Sequence, residues 1–253
     1  MSAARRPRRA IATLWRIYEI VAMGLGLSAL LLLCLVWLPV AQLLRLLLPR
    51  RLGQPLGRRA IALGFRGYIW FLRTACSCRF DLAELDRLRD QGPLIIAANH
   101  PSLLDAVLIV SRLPNAVCVM KASLLDNPLI GAAARLAGYI RNDAPLAMVL
   151  NARAALHGGA HLVIFPEGTR TRRFPVDACQ PAAGLIARRA GVPVQTLLVE
   201  FSSPYLGKGW PLFRPPLLPL SCRIRLGRRY PPPTDFKLFA AELEAYFSIE
   251  ARA

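Results

Sequence analysis

One histidine and one aspartate have the types and spacing of a proton-accepting pair. His100 and Asp105 are separated by four residues and follow an apolar run at 94–98. This run comes after Gly92-Pro93 and predicts a buried strand, and residues 102–112 predict a helix after it. A carboxylate in the first helical turn can bond one imidazole nitrogen and leave the other free as a general base. The alternative is a structural histidine whose aspartate neighbour stabilises the helix N-terminus.

A second polar segment follows another predicted strand. The apolar run at 161–165 predicts a buried strand that leads into Pro166-Glu167-Gly168-Thr169-Arg170. Since the carboxyl ends of parallel strands meet at one edge of a sheet, we expect both polar segments at one site. An arginine beside glycine and threonine suits a phosphate clamp, and a turn with a surface salt bridge is the alternative.

The two segments together, NHPSLLD at 99–105 and FPEGTR at 165–170, resemble the blocks of the 1-acylglycerol-3-phosphate acyltransferase family, the PlsC type. The resemblance covers residues 80–205. It implies membrane-embedded N-terminal helices followed by an α/β domain that transfers a fatty acyl group. The donor would be acyl-CoA or acyl carrier protein, and the acceptor a lysophospholipid, with 1-acyl-sn-glycerol-3-phosphate giving phosphatidic acid.

The resemblance also implies a role for each matching residue. His100 would be the general base and Asp105 the residue that orients it. No covalent acyl-enzyme is needed, because the acceptor oxygen would attack the thioester directly. Substrate contacts would come from Asn99, Lys121, Arg141, Glu167, Gly168, Thr169, Arg170 and Pro193.

Two blocks depart from the family pattern, and both are associated with the acceptor. In Gly138-Tyr139-Ile140-Arg141 the arginine comes early, and Ala144 stands near its usual place. The block that begins Val192-Pro193 keeps its first proline and has Thr196 at the second. Acyl transfer is therefore better supported than the identity of the acceptor. A glycolipid, an amino-acid lipid or another hydroxylated lipid stays open as the alternative.

Composition separates the N-terminal third from the rest of the chain. The 253 residues are 55% hydrophobic and carry a net charge of +18. Residues 1–79 hold 13 arginines and one acid, Glu19, and so account for +12 of that charge. Such a composition excludes intrinsic disorder, and basic residues among apolar ones favour a membrane surface over nucleic acid.

A membrane helix is predicted within this N-terminal third. The 25 residues from 20 to 44 include no charged residue, and a helix of that length reaches across the roughly 30 Å of a bilayer core. Gly24, Gly26 and Pro39 could break it into a re-entrant hairpin, whereas an unbroken helix would be a single span. Arginines lie on both sides of it, so the positive-inside rule selects neither topology.

Residues 50–73 predict an interfacial helix after the apolar run. Arg51, Arg58, Arg66 and Arg73 fall within a narrow arc at helical spacing, which suits lipid headgroups. The alternative is a charged stripe on a helix packed against the domain.

The predicted organisation is a membrane-attached region at 1–79, with a basic arm, and an α/β acyltransferase domain at 80–253. The fold class is α/β, with a mixed, largely buried sheet flanked by helices, because strand and helix patterns alternate from residue 94 onward. Thr234 is the expected cap of a final helix. The six cysteines have no metal or redox spacing and predict reduced thiols.

These features complete the functional expectations. We expect membrane lipids and an acyl carrier as partners, with no nucleic acid, no metal and no cofactor. The expected location is the inner (cytoplasmic) membrane, with the catalytic domain facing the cytoplasm. A thioesterase that uses water, and a non-enzymatic basic protein that binds membrane surfaces, are the alternatives from other classes.

Overall fold

The computed structural model of the protein describes residues 6–251, with side chains from Ile11 onward. The α-helices are α1 (Arg6–Leu47), α2 (Arg50–Ala75), α3 (Leu104–Arg112), α4 (Ala122–Leu125), α5 (Pro128–Ala137), α6 (Pro145–His157), α7 (Ala182–Ala190) and α8 (Phe236–Glu250). The strands are β1 (Cys78–Asp81), β2 (Ile95–Ala98), β3 (Ala116–Met120), β4 (Ile140–Arg141), β5 (His161–Ile164), β6 (Val194–Phe201) and β7 (Leu220–Tyr230). The first part of the predicted basic arm, residues 1–5, lies outside the described residues.

The strands form one mixed sheet, which confirms the predicted α/β class. Its order is β1-β7-β6-β2-β5-β3-β4, and the described pairs are parallel except β6 with β7. Every residue of β2 and β5 is buried, as expected for central parallel strands covered by helices on both faces. One core lies between the sheet and α1 to α3, and a second lies between the sheet and α6 to α8.

The apolar N-terminal segment forms one continuous helix. Helix α1 passes through Gly24, Gly26 and Pro39 without a break, because a single proline removes only one backbone hydrogen bond and its neighbours can accommodate it. The chain reverses after α1, and α2 runs back alongside it. Leu72 of α2 packs over Gly26, and Leu33 of α1 packs over Gly64.

Most of α1 carries apolar side chains on its outer face. The stretch Ile11–Leu47 is long and apolar enough to cross a bilayer, and Ile20, Leu32 and Val36 are among its exposed side chains. The cost of leaving such a surface in water indicates membrane association. The side of α1 toward the domain packs on α2 and α5.

The arginines of α2 correct the expected headgroup-facing stripe. Arg58 is buried and donates to the Ala137 carbonyl at 3.0 Å, and Arg66 donates to the Ser111 carbonyl at 2.7 Å. Arg73 donates to the Phe80 carbonyl. Two of these carbonyls end α5 and α3, where the last helical turns lack backbone partners. The buried Arg58 therefore packs on the domain and does not face headgroups, whereas Arg73 is exposed and headgroup contact by the rest of the stripe stays a prediction.

Two local expectations also need correction. Asp235, one residue after the expected Thr234, caps α8 and accepts from the backbone N–H groups of Lys237 and Leu238. Strands β1 and β4 had no predicted counterpart, because four and two residues are too few for a periodic pattern.

Candidate active site

The turn between β2 and α3 brings His100 and Asp105 together. His100 Nδ1 lies 2.8 Å from Asp105 Oδ2, which also accepts from the Ser102 N–H at 2.9 Å. Complete burial raises the pKa of the Asp105 carboxyl, while the hydrogen bonds from His100 and Ser102 act in the opposite direction. A carboxylate at Nδ1 selects the tautomer that carries the proton there and leaves Nε2 as the free base. The predicted pair therefore has the geometry of a general base and its orienting residue.

The second segment holds the backbone and ring of His100. Glu167 Oε1 accepts from the His100 N–H at 3.0 Å, and the Thr171 N–H donates to the His100 carbonyl at 2.8 Å. Phe165 stacks on the imidazole, with 3.8 Å between ring centroids and 15° between planes. Glu167 Oε2 accepts from the Asp177 N–H at 2.9 Å. Burial raises the pKa of Glu167, and these hydrogen bonds oppose the rise. Glu167 thus holds His100 in place, and its predicted substrate contact stays a prediction.

Residues 168–170, which follow Glu167, place positively charged side chains at the sheet edge beside His100 and Asp105. Gly168 has a φ of +67°, which favours glycine and lets the chain turn sharply after Glu167. Arg170 Nη1 donates to the carbonyls of Leu206 and Gly207, each at 2.8 Å. Lys208, on the same loop, donates to Thr169 Oγ1 at 2.8 Å and is exposed. Arg170 therefore fixes the loop that carries Lys208.

Two residues predicted to contact substrate have other positions. The buried Asn99 amide donates to the Val199 carbonyl at 3.0 Å and accepts from its N–H at 2.8 Å. This amide extends the pairing of β2 with β6, and its predicted substrate contact, which the burial does not favour, stays a prediction. Pro193 precedes β6, and its carbonyl accepts from the Ile95 N–H at the start of β2. It lies at the opposite edge of the sheet from His100, because β2 and β6 are parallel. This position does not favour the predicted substrate contact of Pro193, which also stays a prediction.

Two further cations lie along the carboxyl edge of the sheet. Lys121 follows β3 and is exposed. Arg141 ends β4 and forms salt bridges with Asp126 at 2.7 Å and with Asp143 at 2.8 Å. Strand β5 separates β3 from β2, so both side chains start farther from His100 than the Glu167 turn does. The two carboxylates neutralise Arg141, which leaves Lys121 as the freer cation of this pair.

An apolar cavity adjoins the turn that carries the dyad. Its volume is about 150 Å³, and Leu103 and Leu104, next to Asp105, form part of its wall. Most of the rest of the wall comes from α1, α2 and the segment at 206–219, including Met23, Leu72 and Leu218. A wider surface depression of about 490 Å³ over the β1–β7–β6 edge includes neither His100 nor Glu167. The wall of the apolar cavity does not include His100 or Asp105 either, but it reaches the turn that carries them through Leu103 and Leu104.

Sequence reasoning missed three contributors to this site: Phe165 as a ring partner, Thr171 as a backbone clamp and Lys208 as a cation. Phe165 and Thr171 flank the recognised segment, and their roles depend on how the chain folds back on His100. Lys208 lies 38 positions after Arg170. Three lysines in a chain with 33 basic residues are a signal that could have marked it.

Comparison with known proteins supports the same family. The Acyltransferase family model matches residues 79–200. The lyso-ornithine lipid O-acyltransferase of Pseudomonas aeruginosa is 30% identical over 190 residues, covering 74% of this chain and 66% of that protein. The 1-acyl-sn-glycerol-3-phosphate acyltransferase of Helicobacter pylori is 34% identical over 108 residues, 39% of this chain and 46% of that protein. This chain therefore spans between about half and two thirds of these two relatives' lengths.

The fold also has a counterpart among solved structures. The 1-acyl-sn-glycerophosphate acyltransferase PlsC from Thermotoga maritima superposes with a TM-score of 0.68, covering 94% of this chain and 96% of that chain at 17% identity. The matched family region includes both the His100–Asp105 pair and the Glu167 turn. On these grounds the chain belongs to the acyltransferase family of PlsC type.

Proposed function

We propose that the protein transfers a fatty acyl group from an acyl-CoA or acyl carrier protein thioester to a hydroxyl of a lysolipid, with 1-acyl-sn-glycerol-3-phosphate as acceptor. The observation that carries this proposal is the His100–Asp105 pair, with its 2.8 Å hydrogen bond at a sheet edge. The cavity beside it supports a substrate with an alkyl chain, because its walls are mostly aliphatic.

The pair can carry out both proton transfers of the reaction, from the acceptor hydroxyl and to the leaving thiolate. His100 Nε2 takes the proton of the acceptor hydroxyl, and the oxygen attacks the thioester carbonyl carbon. A new C–O bond forms, and collapse of the tetrahedral intermediate breaks the C–S bond. The imidazolium returns its proton to the leaving thiolate, so that the products are an ester and a free thiol. Asp105 stabilises the imidazolium between these two steps.

Cations near the pair support an anionic acceptor. Lys208 is exposed beside Thr169, and Lys121 lies along the same edge of the sheet. A phosphate monoester placed among these groups would receive charge-assisted hydrogen bonds, which are the stronger kind. The acceptor phosphate is therefore assigned to the side of the site formed by Thr169 and Lys208.

A second acceptor is favoured by a separate observation. Arg141 is neutralised by Asp126 and Asp143, which removes one cation expected to contact phosphate. The relative with 74% coverage of this chain is named for a lyso-ornithine lipid. Its headgroup would carry an amine as well as a carboxylate, and the two carboxylates beside one guanidinium leave a negative charge that suits an amine. An amino-acid lipid is thus the second candidate.

The same reasoning gives a location. The six cysteines are free thiols in the described chain, and reduced thiols are typical of a cytoplasm-facing domain. We assign the protein to the inner (cytoplasmic) membrane, with α1 in the lipid and the dyad on the cytoplasmic side.

The test is an acyl-transfer assay with the purified full chain in detergent. Labelled acyl-CoA and labelled acyl carrier protein are offered separately with 1-acyl-sn-glycerol-3-phosphate, and then with lyso-ornithine lipid. We expect labelled phosphatidic acid, and none with the His100→Ala variant. Label in ornithine lipid alone would replace the first acceptor by the second. Free fatty acid without any acceptor would instead identify a thioesterase.

A further inference from the structure

The segment at 206–219, which links β6 to β7 beside the active site, exposes large apolar side chains. Phe213 is 78% exposed and Leu217 is 62% exposed, whereas the neighbouring Leu206 and Leu218 are buried. Exposing an aromatic and an aliphatic residue this fully in one loop is costly in water unless another phase covers them. Neither Phe213 nor Leu217 belongs to the Glu167 turn or to the His100–Asp105 pair.

The same segment is bound to α1. The Leu218 N–H donates to the buried Glu19 carboxylate at 3.3 Å. Glu19 also pairs with Arg16 at 2.9 Å on its own helix. Next to Glu19 along α1, Ile17 and Ile20 are exposed apolar residues. The apolar surface of α1 is thus held next to that of the loop.

The apolar cavity lies between these two elements. Leu212 and Pro216 of the segment and Ala22 and Met23 of α1 all contribute to its wall. An alkyl chain that enters between α1 and the loop would meet an apolar wall up to Leu104, next to Asp105. This path would not cross the cationic edge around Lys208.

Charged and amphipathic side chains of the segment suit the headgroup level. The Arg214 guanidinium lies 4.6 Å from the centre of the Trp210 ring, and the Trp210 indole N–H donates to the Arg214 carbonyl at 3.0 Å. Tryptophan and arginine together are typical of membrane interfaces, where an apolar body meets a polar surface. Lys208, two residues before Trp210, adds a further cation.

We propose that the 206–219 segment is a second membrane-contact element, which inserts Phe213 and Leu217 into the bilayer beside α1 and opens the cavity laterally to lipid. The occupant is a lipid bilayer, since the loop is continuous with the exposed apolar face of α1 and is flanked by cations. The inference rests on the proposed function, because it assigns the entry path of that reaction's lipid substrate.

The test compares one acceptor class in two physical states. Full-length wild-type protein and the Phe213→Ser/Leu217→Ser variant are reconstituted into vesicles of phosphatidylethanolamine and phosphatidylglycerol. A long-chain lysolipid is supplied within the vesicles, and a short-chain lysolipid is supplied as a monomer in solution. We expect kcat/KM on the vesicle substrate to fall about tenfold in the variant, because loss of apolar contact weakens interfacial binding. The rate on the monomer should stay unchanged.

A matched control uses exposed apolar residues on the other side of the sheet. Leu238 and Ile249 of α8 are each 70% exposed, and the Leu238→Ser/Ile249→Ser variant should behave as wild type on both substrates. Equal vesicle rates in the loop variant and wild type would overturn the inference. So would an equal fall on both substrates, since that places the effect at the chemistry. Absence of acyl transfer by wild type on either substrate would instead defeat the proposed function.

A direct measurement covers the case of a variant that folds poorly. A Phe213→Trp variant is titrated into vesicles that contain lipids brominated on the acyl chain. We expect more quenching than for wild type, because the added indole would lie among the acyl chains. Quenching equal to that of wild type would overturn the inference without any activity measurement.

Discussion

The backbone N–H of His100 donates to Glu167 Oε1 at 3.0 Å, so the two polar segments of the sequence are joined by a partly buried hydrogen bond. The same carboxylate accepts from Thr171 Oγ1 at 2.8 Å and from the Asp177 N–H at 2.9 Å. Three donors therefore converge on one side chain. Its role is to hold the histidine and the 171–177 loop in one arrangement.

A Glu167→Gln variant tests this positioning role. The amide keeps one acceptor oxygen, but its NH₂ group must face a donor that the carboxylate accepted. We expect kcat to fall by about 10²-fold, as small displacements of a catalytic group do, with the KM for the acceptor nearly unchanged. Steady-state kinetics with the acceptor varied measures this. A rise in KM at constant kcat would mean that Glu167 contacts the acceptor.

An Asp105→Asn variant tests the orientation of the catalytic imidazole. The amide oxygen can still accept from the His100 Nδ1–H and the Ser102 N–H, which both bond Asp105 Oδ2, but the side chain no longer carries a negative charge. We expect kcat to fall about 10²- to 10⁴-fold, because the imidazolium loses its stabilising carboxylate and an amide that donates to Nδ1 leaves the proton on Nε2. Single-turnover assays and thermal melts are compared with wild type. Activity within twofold of wild type, in a folded protein, would make the pair structural.

Lys208 tests the assignment of the anionic part of the acceptor. A Lys208→Met variant keeps the length of the side chain and removes its charge. We expect the KM for 1-acyl-sn-glycerol-3-phosphate to rise about tenfold, a typical loss for one charged hydrogen bond at a partly exposed site. The KM for uncharged monoacylglycerol should not change.

Arg141→Met is the matched control for Lys208, because Arg141 is already neutralised by Asp126 and Asp143. Its effect on the acceptor KM should be smaller. Equal effects of both variants, or an effect of Lys208→Met only on the KM for acyl-CoA, would contradict the assignment.

The sequence predicted the fold and the chemical pair better than it predicted substrate contacts. Long apolar runs at β2, β5 and β6 predicted the central strands, since burial on both faces gives a continuous apolar pattern. The spacing of His100 and Asp105 predicted that they meet at one strand-to-helix turn, and the resemblance then supplied their roles. Matching blocks do not reveal where a side chain points, and so Asn99 and Pro193 received roles that their positions in the fold do not favour.

The prediction that the α2 arginines face lipid headgroups does not hold for Arg58, for a related reason. Helical spacing places Arg58 and Arg66 on one face but does not decide what that face meets. Here it meets the carbonyl ends of α5 and α3. Gly57 indicates how closely α2 packs on α5, because a Cβ atom at this position would lie 2.9 Å from the Ala137 backbone nitrogen. So close a helix contact leaves no room for lipid between α2 and α5.

His161 gives a prediction about stability against pH, away from the catalytic pair. It begins β5, is buried, and its Nδ1 has no hydrogen-bond partner among the described residues. Burial lowers the pKa of this imidazole from the ordinary value of 6.5, so the folded state favours the neutral ring. The unfolded chain then binds a proton more readily than the folded one below about pH 6.5. This contribution to stability is present above that pH and is lost as the pH falls.

A His161→Gln variant isolates the contribution, because glutamine is polar but does not titrate. We expect the free energy of unfolding of wild type to fall more steeply than that of the variant between about pH 7 and 5. Asp105 and Glu167 act in the opposite sense, since their raised pKa values favour the folded state in acid, but they are common to both proteins. The difference between the two curves therefore belongs to His161. Thermal melts in detergent at closely spaced pH values measure it, and parallel curves would show that the buried imidazole does not contribute.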